Sequence, residues 1–194
     1  RDPLWSRGLG DVYKRQTESW PPNLTRAAAR LQPRGVVVVR VTEGQPLPFA
    51  DDSFALVSSR HPVAVDWAEV SRVLAPGGSY LAQHVGPASA FELVEEFLGP
   101  QPTEIRSRRD PEVEASEARA AGLDVVDLRT ERLRIEFYDV GAIVWFLRKV
   151  IWLVPGFDSA SHRERLQSLH ERLQEGPFVA HSSRTLIEAR KPRR

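Results

Sequence analysis

The stretch that decides the fold is Leu47–Gly86, LPFADDSFALVSSRHPVAVDWAEVSRVLAPGGSYLAQHVG. Pro46 and Pro48 fix φ and remove backbone donors, so the chain enters this stretch extended. Asp51, Asp52 and Ser53 form a polar turn. Phe54 to Val57 is an apolar run of strand length. From Trp67 to Leu74 the apolar residues Val70, Val73 and Leu74 fall at helical spacing. Pro76-Gly77-Gly78 predicts the end of that helix, with glycine in the left-handed cap and proline unable to continue. Tyr80 to Val85 reads as the next strand. Strand, helix and strand with short connections make one unit of a parallel α/β sheet.

The same pattern extends in both directions. Pro22–Leu31 is a predicted helix with Leu24, Ala27, Ala28 and Leu31 on one face, started by Pro21-Pro22 and ended by Gly35. Val36 to Val41 is a β-branched run, which predicts a strand buried on both faces of a parallel sheet. Downstream, helices are expected over Ala88–Leu98, Pro111–Ala121, Val140–Trp152 and Ser159–Gln174, with a loop over 99–110. Strands are expected over Leu123–Leu128, Leu133–Phe137 and Phe178–Ala189. The order of elements is that of one α/β domain.

Composition excludes several classes. The 194 residues carry 27 basic and 26 acidic side chains, so bulk charge gives no argument for nucleic acid. The clusters Arg106–Arg109 and Arg190–Arg194 read as solvated loop and chain end. Cysteine is absent, which removes disulfides, thiol catalysis and cysteine metal sites. No segment reaches the ~20 apolar residues of a membrane span. The expected setting is cytoplasmic.

The Leu47–Gly86 block resembles class I S-adenosylmethionine (SAM) dependent methyltransferases of the type-11-like group. The family pattern, LPF-x-D-x-SFD-x-V followed by a helix ending E-V-x-RVL-x-PGG, is met by Leu47, Pro48, Phe49, Asp51, Ser53, Phe54, Val57, Glu69, Val70, Arg72, Val73, Leu74, Pro76, Gly77 and Gly78. It departs at Ala55, where the family has Asp. The resemblance implies a Rossmann-like sheet with helices on both faces, and S-adenosylmethionine as methyl donor.

Residues 1–16, RDPLWSRGLGDVYKRQ, show no helical or strand period and resemble translated adapter sequence; they are expected to be a non-native leader. Gly8-Leu9-Gly10 is then not a nucleotide loop. Only seven residues separate Gly10 from Glu18, and a crossover between parallel strands needs about 10–12. The expectation is a sheet incomplete at its N-terminus, lacking the family's first strand and glycine-rich loop. Residues 17–86 would be the cofactor-side half and 87–194 a C-terminal half with substrate-side helices.

The resemblance also implies site residues. Thr17-Glu18-Ser19-Trp20 matches the end of the family's second strand, where an acidic residue accepts from the ribose hydroxyls; Glu18 is that residue, with Ser19 and Trp20 beside it. Glu43-Gly44 lies where the family meets the adenine, although Glu43 reads equally as a solvated turn residue. Ser59 and Arg60, ending the fourth family strand, fall on the cofactor side. His61 follows them, at the strand end where open α/β sheets bind ligands, and its imidazole titrates near neutrality. It is the candidate base; otherwise it is a loop histidine. His84 reads as a polar residue on a sheet face. His162, His170 and His181 form no metal pattern, so no metal is expected.

The aromatic segment with Trp145, Phe146 and Trp152 fits core packing, an acceptor-pocket wall or a membrane-surface face, with core favoured. The expected acceptor is a small molecule. Two rival classes stay open: a nucleotide-dependent Rossmann oxidoreductase, and a non-catalytic binding domain that kept the fold.

Overall fold

A computed structural model describes residues 14–193 of the chain. The first unit is a parallel pair. β1 (Lys14–Glu18) leads through α1 (Pro21–Leu31) to β2 (Val36–Arg40), in register from Lys14 with Val36 to Glu18 with Arg40. Lys14, Arg15 and Gln16, counted by sequence in the leader, are strand residues here. An all-polar KRQ run gives no period to read, and its pairing is made by backbone. The rest of that leader, with Gly8-Leu9-Gly10, lies outside the described residues.

The Val36–Val41 run is indeed a strand but is not buried on both faces. Its residues are half-buried or exposed, and Val37 keeps 48% of its surface. Among the described residues β2 pairs only with β1, and α1 packs beside it. No described residue before Trp67 is buried.

The second sheet has four strands in the order β3-β4-β6-β5. β3 (Phe54–Arg60) runs parallel to β4 (Leu74–Val85), joined by α2 (Trp67–Val73). Asp66 caps α2 by accepting from the Glu69 amide at 3.0 Å, which satisfies an otherwise free donor. The helix turns Trp67, Val70 and Val73 inward.

Its end differs from the expected glycine cap. Leu74 is already extended, with ψ 131°, and starts β4. Pro76-Gly77-Gly78 instead forms a bulge: Phe54 pairs with Leu74, but Leu56 pairs with Ser79. Gly77 takes φ +80°, and a Cβ on Gly78 would stand 2.8 Å from the Ala75 carbonyl oxygen and 3.0 Å from that of Phe54.

The C-terminal half runs α3 (Phe91–Leu98), α4 (Thr103–Arg106), α5 (Pro111–Ala120), β5 (Asp124–Phe137), α6 (Val140–Lys149), α7 (Arg163–Arg172) and β6 (Phe178–Arg190). The single-turn α4 sits inside the expected loop. α3 starts later than predicted because Ala88 and Ala90 take φ 47° and 59°. β5 and β6 form a long antiparallel pair, from Asp124–Arg190 to Phe137–Phe178. β4 ends opposite Arg184, so β6 overhangs it by residues 178–183, about 20 Å at strand rise.

Two clusters divide the core. One packs α2 and α5 on the sheet through Trp67, Val70, Tyr80, Ala118, Ile187 and Ala189. The other gathers Leu93, Phe97, Ile143, Leu147, Leu169 and Ala180 around the overhang. Each fully buried large apolar side chain contributes about 1.5–3 kcal/mol. Core packing describes α6 through Ile143, Leu147 and Phe146, but not the tryptophans of this segment: Trp145 on the helix and Trp152 in the turn after it are 64% and 71% exposed. No helix among the described residues is long and apolar enough to cross a membrane.

The Gly78 contacts are to backbone oxygens that cannot swing away. Gly78→Ala should therefore cost about 1–3 kcal/mol, read as a lower denaturant midpoint at unchanged slope. Gly176→Ala, which meets nothing within 4 Å, should change the midpoint little.

Candidate active site

Side chains able to do chemistry collect at the carboxyl ends of the parallel strands in both sheets. In the first, Glu18 ends β1 and Glu43 follows β2. The Ser19 hydroxyl donates to Glu43 Oε1 at 3.4 Å, and the Trp20 amide donates to Glu18 Oε1 at 3.1 Å. Glu18 Oε2 enters neither of these bonds. Gly44 takes φ +73°, with open space where a Cβ would stand. The structure thus brings Glu18, Ser19 and Glu43 together, with Gly44 next in the turn and the Trp20 ring mostly exposed.

In the second sheet, Ser59 and Arg60 end β3 and His61 follows. His61 takes φ +53°, unusual for a residue with a Cβ, and its amide donates to the Gln83 carbonyl at 2.7 Å. Partial burial, then the Arg184 and Arg60 guanidiniums, hold its imidazole below the usual histidine value; a hydrogen bond with the Gln83 side chain opposes them. His61 is therefore neutral at neutral pH and able to take a proton. Arg109, itself at φ +66°, reaches the Pro62 carbonyl at 3.5 Å.

Beneath this end lies a polar chain that the sequence did not announce. The Ser59 hydroxyl bonds the Tyr80 hydroxyl at 2.6 Å, Tyr80 bonds His84 Nε2 at 3.0 Å, and His84 Nδ1 bonds Glu114 Oε2 at 2.6 Å. His84 is 1% exposed. It is a sheet-face histidine as expected, but fully partnered in the core. Burial pushes the Tyr80 phenol up to about 12, so it stays protonated. Ser59 thus carries its hydroxyl on the helix-covered face, next to Ala82, while Arg60 stands beside Gln83.

Arg109, Arg184 and Glu114 were missed. Arg109 sat in a basic run read as solvated. Arg184 sat in the polar run His181–Thr185, inside an otherwise apolar closing strand, which was its one signal. Among the described residues no group of three or more His, Cys, Asp or Glu side chains gathers to hold a metal. A cavity of about 510 Å³ opens at the other end of β4, lined by Gly77, Ser79, Asp124 and Arg190. It contains none of these side chains.

Residues 6–82 match the family described as "Methyltransferase domain", a span that begins within the expected leader. No curated protein matches the chain. Among solved structures, a protein of Bacillus halodurans C-125 assigned as a methyltransferase superposes with TM-score 0.61 at 18% identity, over 92% of this chain and 82% of that one. The YcgJ protein of Bacillus subtilis gives 0.59 at 18% identity, over 94% and 83%. The [4+2]-cyclase SpnF gives 0.55 at 16% identity, over 100% and 72%. The fold is the Rossmann-like class I methyltransferase fold.

Tyr80→Phe removes the hydroxyl between Ser59 and His84, leaving His84 Nε2 buried without its partner. Loss of about 1–3 kcal/mol is expected, measured by urea unfolding at pH 7.5.

Proposed function

We propose that this chain, which carries a methyltransferase domain, moves a methyl group from S-adenosylmethionine to a small-molecule acceptor at the carboxyl ends of β3 and β4. The observation that carries the reading is placement: Glu18, Glu43, Ser59, Arg60 and His61 all stand at parallel-strand carboxyl ends, where open α/β sheets bind ligands.

The residues present fit the cofactor. A carboxylate with an oxygen to spare suits two adjacent hydroxyl donors, and Glu18 offers one at the end of β1. Glu43 and Gly44, one turn away, offer an acceptor and an approachable backbone for the base. Bound S-adenosylmethionine supplies an electrophilic methyl group on a sulfonium. His61 holds a neutral imidazole where an acceptor hydroxyl or ammonium proton needs a base. The His84–Tyr80–Ser59 chain fixes the end of β3 from below, so that Arg60 and His61 keep their place.

Two measurements test this reading. Glu18→Ala should weaken S-adenosylhomocysteine binding in calorimetry by roughly ten- to a hundredfold, since two charge-assisted bonds are lost and water replaces part of them. Unchanged affinity in a folded variant would remove the ribose assignment. His61→Ala should leave that affinity unchanged and lower methylation across a panel of small acceptors. The pH profile adds a sign. Because the imidazole is held below 6.5, wild-type turnover should persist below that pH and fall only as His61 becomes protonated. A profile whose acid limb survives in His61→Ala would assign the base elsewhere.

A further inference from the structure

We propose that Arg60, Arg109 and Arg184, grouped about His61, form an anion-binding site that takes a carboxylate or phosphate group of the methyl acceptor. The word "acceptor" rests on the methyl-transfer reading; the anion site rests on the grouping itself.

The sheet register sets two of the three cations. Arg60 pairs with Gln83 across β3 and β4, and Arg184 pairs with Val85 across β4 and β6. Paired residues share a face, and Gln83 and Val85 are two apart on one strand, so Arg60 and Arg184 stand on the same face at the same end. The loop before α5 brings Arg109 to the Pro62 carbonyl. Arg184, Arg60 and Arg109 are the charges that act on His61, and Arg60 acts on Arg184.

Among the described residues no carboxylate forms an ion pair with any of the three. Several other arginines have carboxylate partners. Arg72 meets Asp51 and Glu69, Arg132 meets Glu92, Arg172 meets Glu96 and Arg190 meets Glu188. Arg184 is half-buried, yet its Nη1 donates only to Ser89 Oγ at 3.2 Å and the Ser183 carbonyl at 2.8 Å, both neutral. Glu131 is level with it on β5 but makes no ion pair with it among the described residues. The whole chain is nearly balanced, at net +1, so the local excess is not a by-product of composition.

Gathering like charges without counter-charge costs folding free energy. Guanidinium forks match planar carboxylates and phosphates in two-point hydrogen bonds. His61 and Arg109 both hold left-handed φ at this spot, a strain that a ligand site retains. The cofactor's methionine carboxylate is the other source of the same chemistry, and the experiment separates the two.

Inorganic phosphate is titrated into the full chain at pH 7.5 and constant ionic strength, followed by calorimetry. S-adenosylhomocysteine is titrated in parallel. Arg109→Gln and Arg184→Gln should each weaken phosphate binding roughly five- to tenfold, with Arg184→Lys intermediate and S-adenosylhomocysteine affinity unchanged. Arg109 is on an exposed loop, so its variant reports even where Arg184→Gln unfolds. No phosphate binding by wild type, or equal binding by Arg109→Gln, overturns the anion site. Parallel loss of S-adenosylhomocysteine affinity gives the cations to the cofactor and overturns the acceptor assignment. Failure of the wild type to bind S-adenosylhomocysteine, with the phosphate pattern intact, fails the methyl-transfer reading alone.

Discussion

One guanidinium, that of Arg72, holds the approach to the site in place. Its Nε donates to Glu69 Oε1 at 2.7 Å, and its Nη2 to Glu69 Oε2 at 2.8 Å. Nη1 takes the Phe49 carbonyl at 2.7 Å and Asp51 Oδ1 at 2.8 Å, and Nη2 also takes the Leu47 carbonyl at 3.0 Å. Glu69 closes the ring by accepting from the Leu47 amide at 2.6 Å. The segment from Leu47 to Asp52 has no buried side chain, so hydrophobic burial cannot fix it. Charge-assisted bonds from α2 do so instead, discounted because the pair is partly exposed to water. Lys191 adds a second tie, from the end of the chain to Asp52 and the Ser71 and Leu74 carbonyls. These polar contacts hold the chain just before β3, the strand that Arg60 ends and His61 follows.

The clamp has an electrostatic consequence. The Arg72 hydrogen bond holds the Glu69 carboxyl below its ordinary value of 4.5. A carboxyl depressed in the folded state stabilises that state fully above its unfolded value, and the contribution fades as pH falls through the folded one. The clamp is therefore intact through the neutral range, where His61 is neutral as well. Acid disturbs both, for opposite reasons. Glu69 loses the charge that holds Arg72, and His61 gains a charge among three arginines.

What was legible in the sequence follows from what each signal depends on. Leu47–Gly86 could be read because its signals are local: prolines, a polar turn, helical spacing and a glycine pair. The use made of Gly77-Gly78 was not legible, since a bulge depends on the partner strand. β1 could not be seen in a polar KRQTE run, and the burial of β2 depends on what lies on its faces. Glu18, Glu43 and His61 were found as strand-end residues. Tyr80, His84 and Glu114 were not found as a unit, because 30 residues separate His84 from Glu114 and only packing of α5 on the sheet joins them. Arg184 meets Arg60 for the same kind of reason: an antiparallel strand at the end of the chain lies against β4.

A fold shared with both a protein assigned as a methyltransferase and a [4+2]-cyclase cannot by itself name a reaction. Side chains whose arrangement is costly without a ligand are more specific than the fold. A buried apolar cluster explains itself by the water it excludes. The Ser59–Tyr80–His84–Glu114 chain explains itself by mutual satisfaction, with every buried side-chain polar atom among the described residues partnered. The arginines at the carboxyl ends of β3 and β4 have no such internal explanation. They sit about a neutral histidine, and that histidine and Arg109 both hold left-handed backbone. Under the proposed reading, that imbalance, more than the architecture around it, marks this strand end as the place for the substrate.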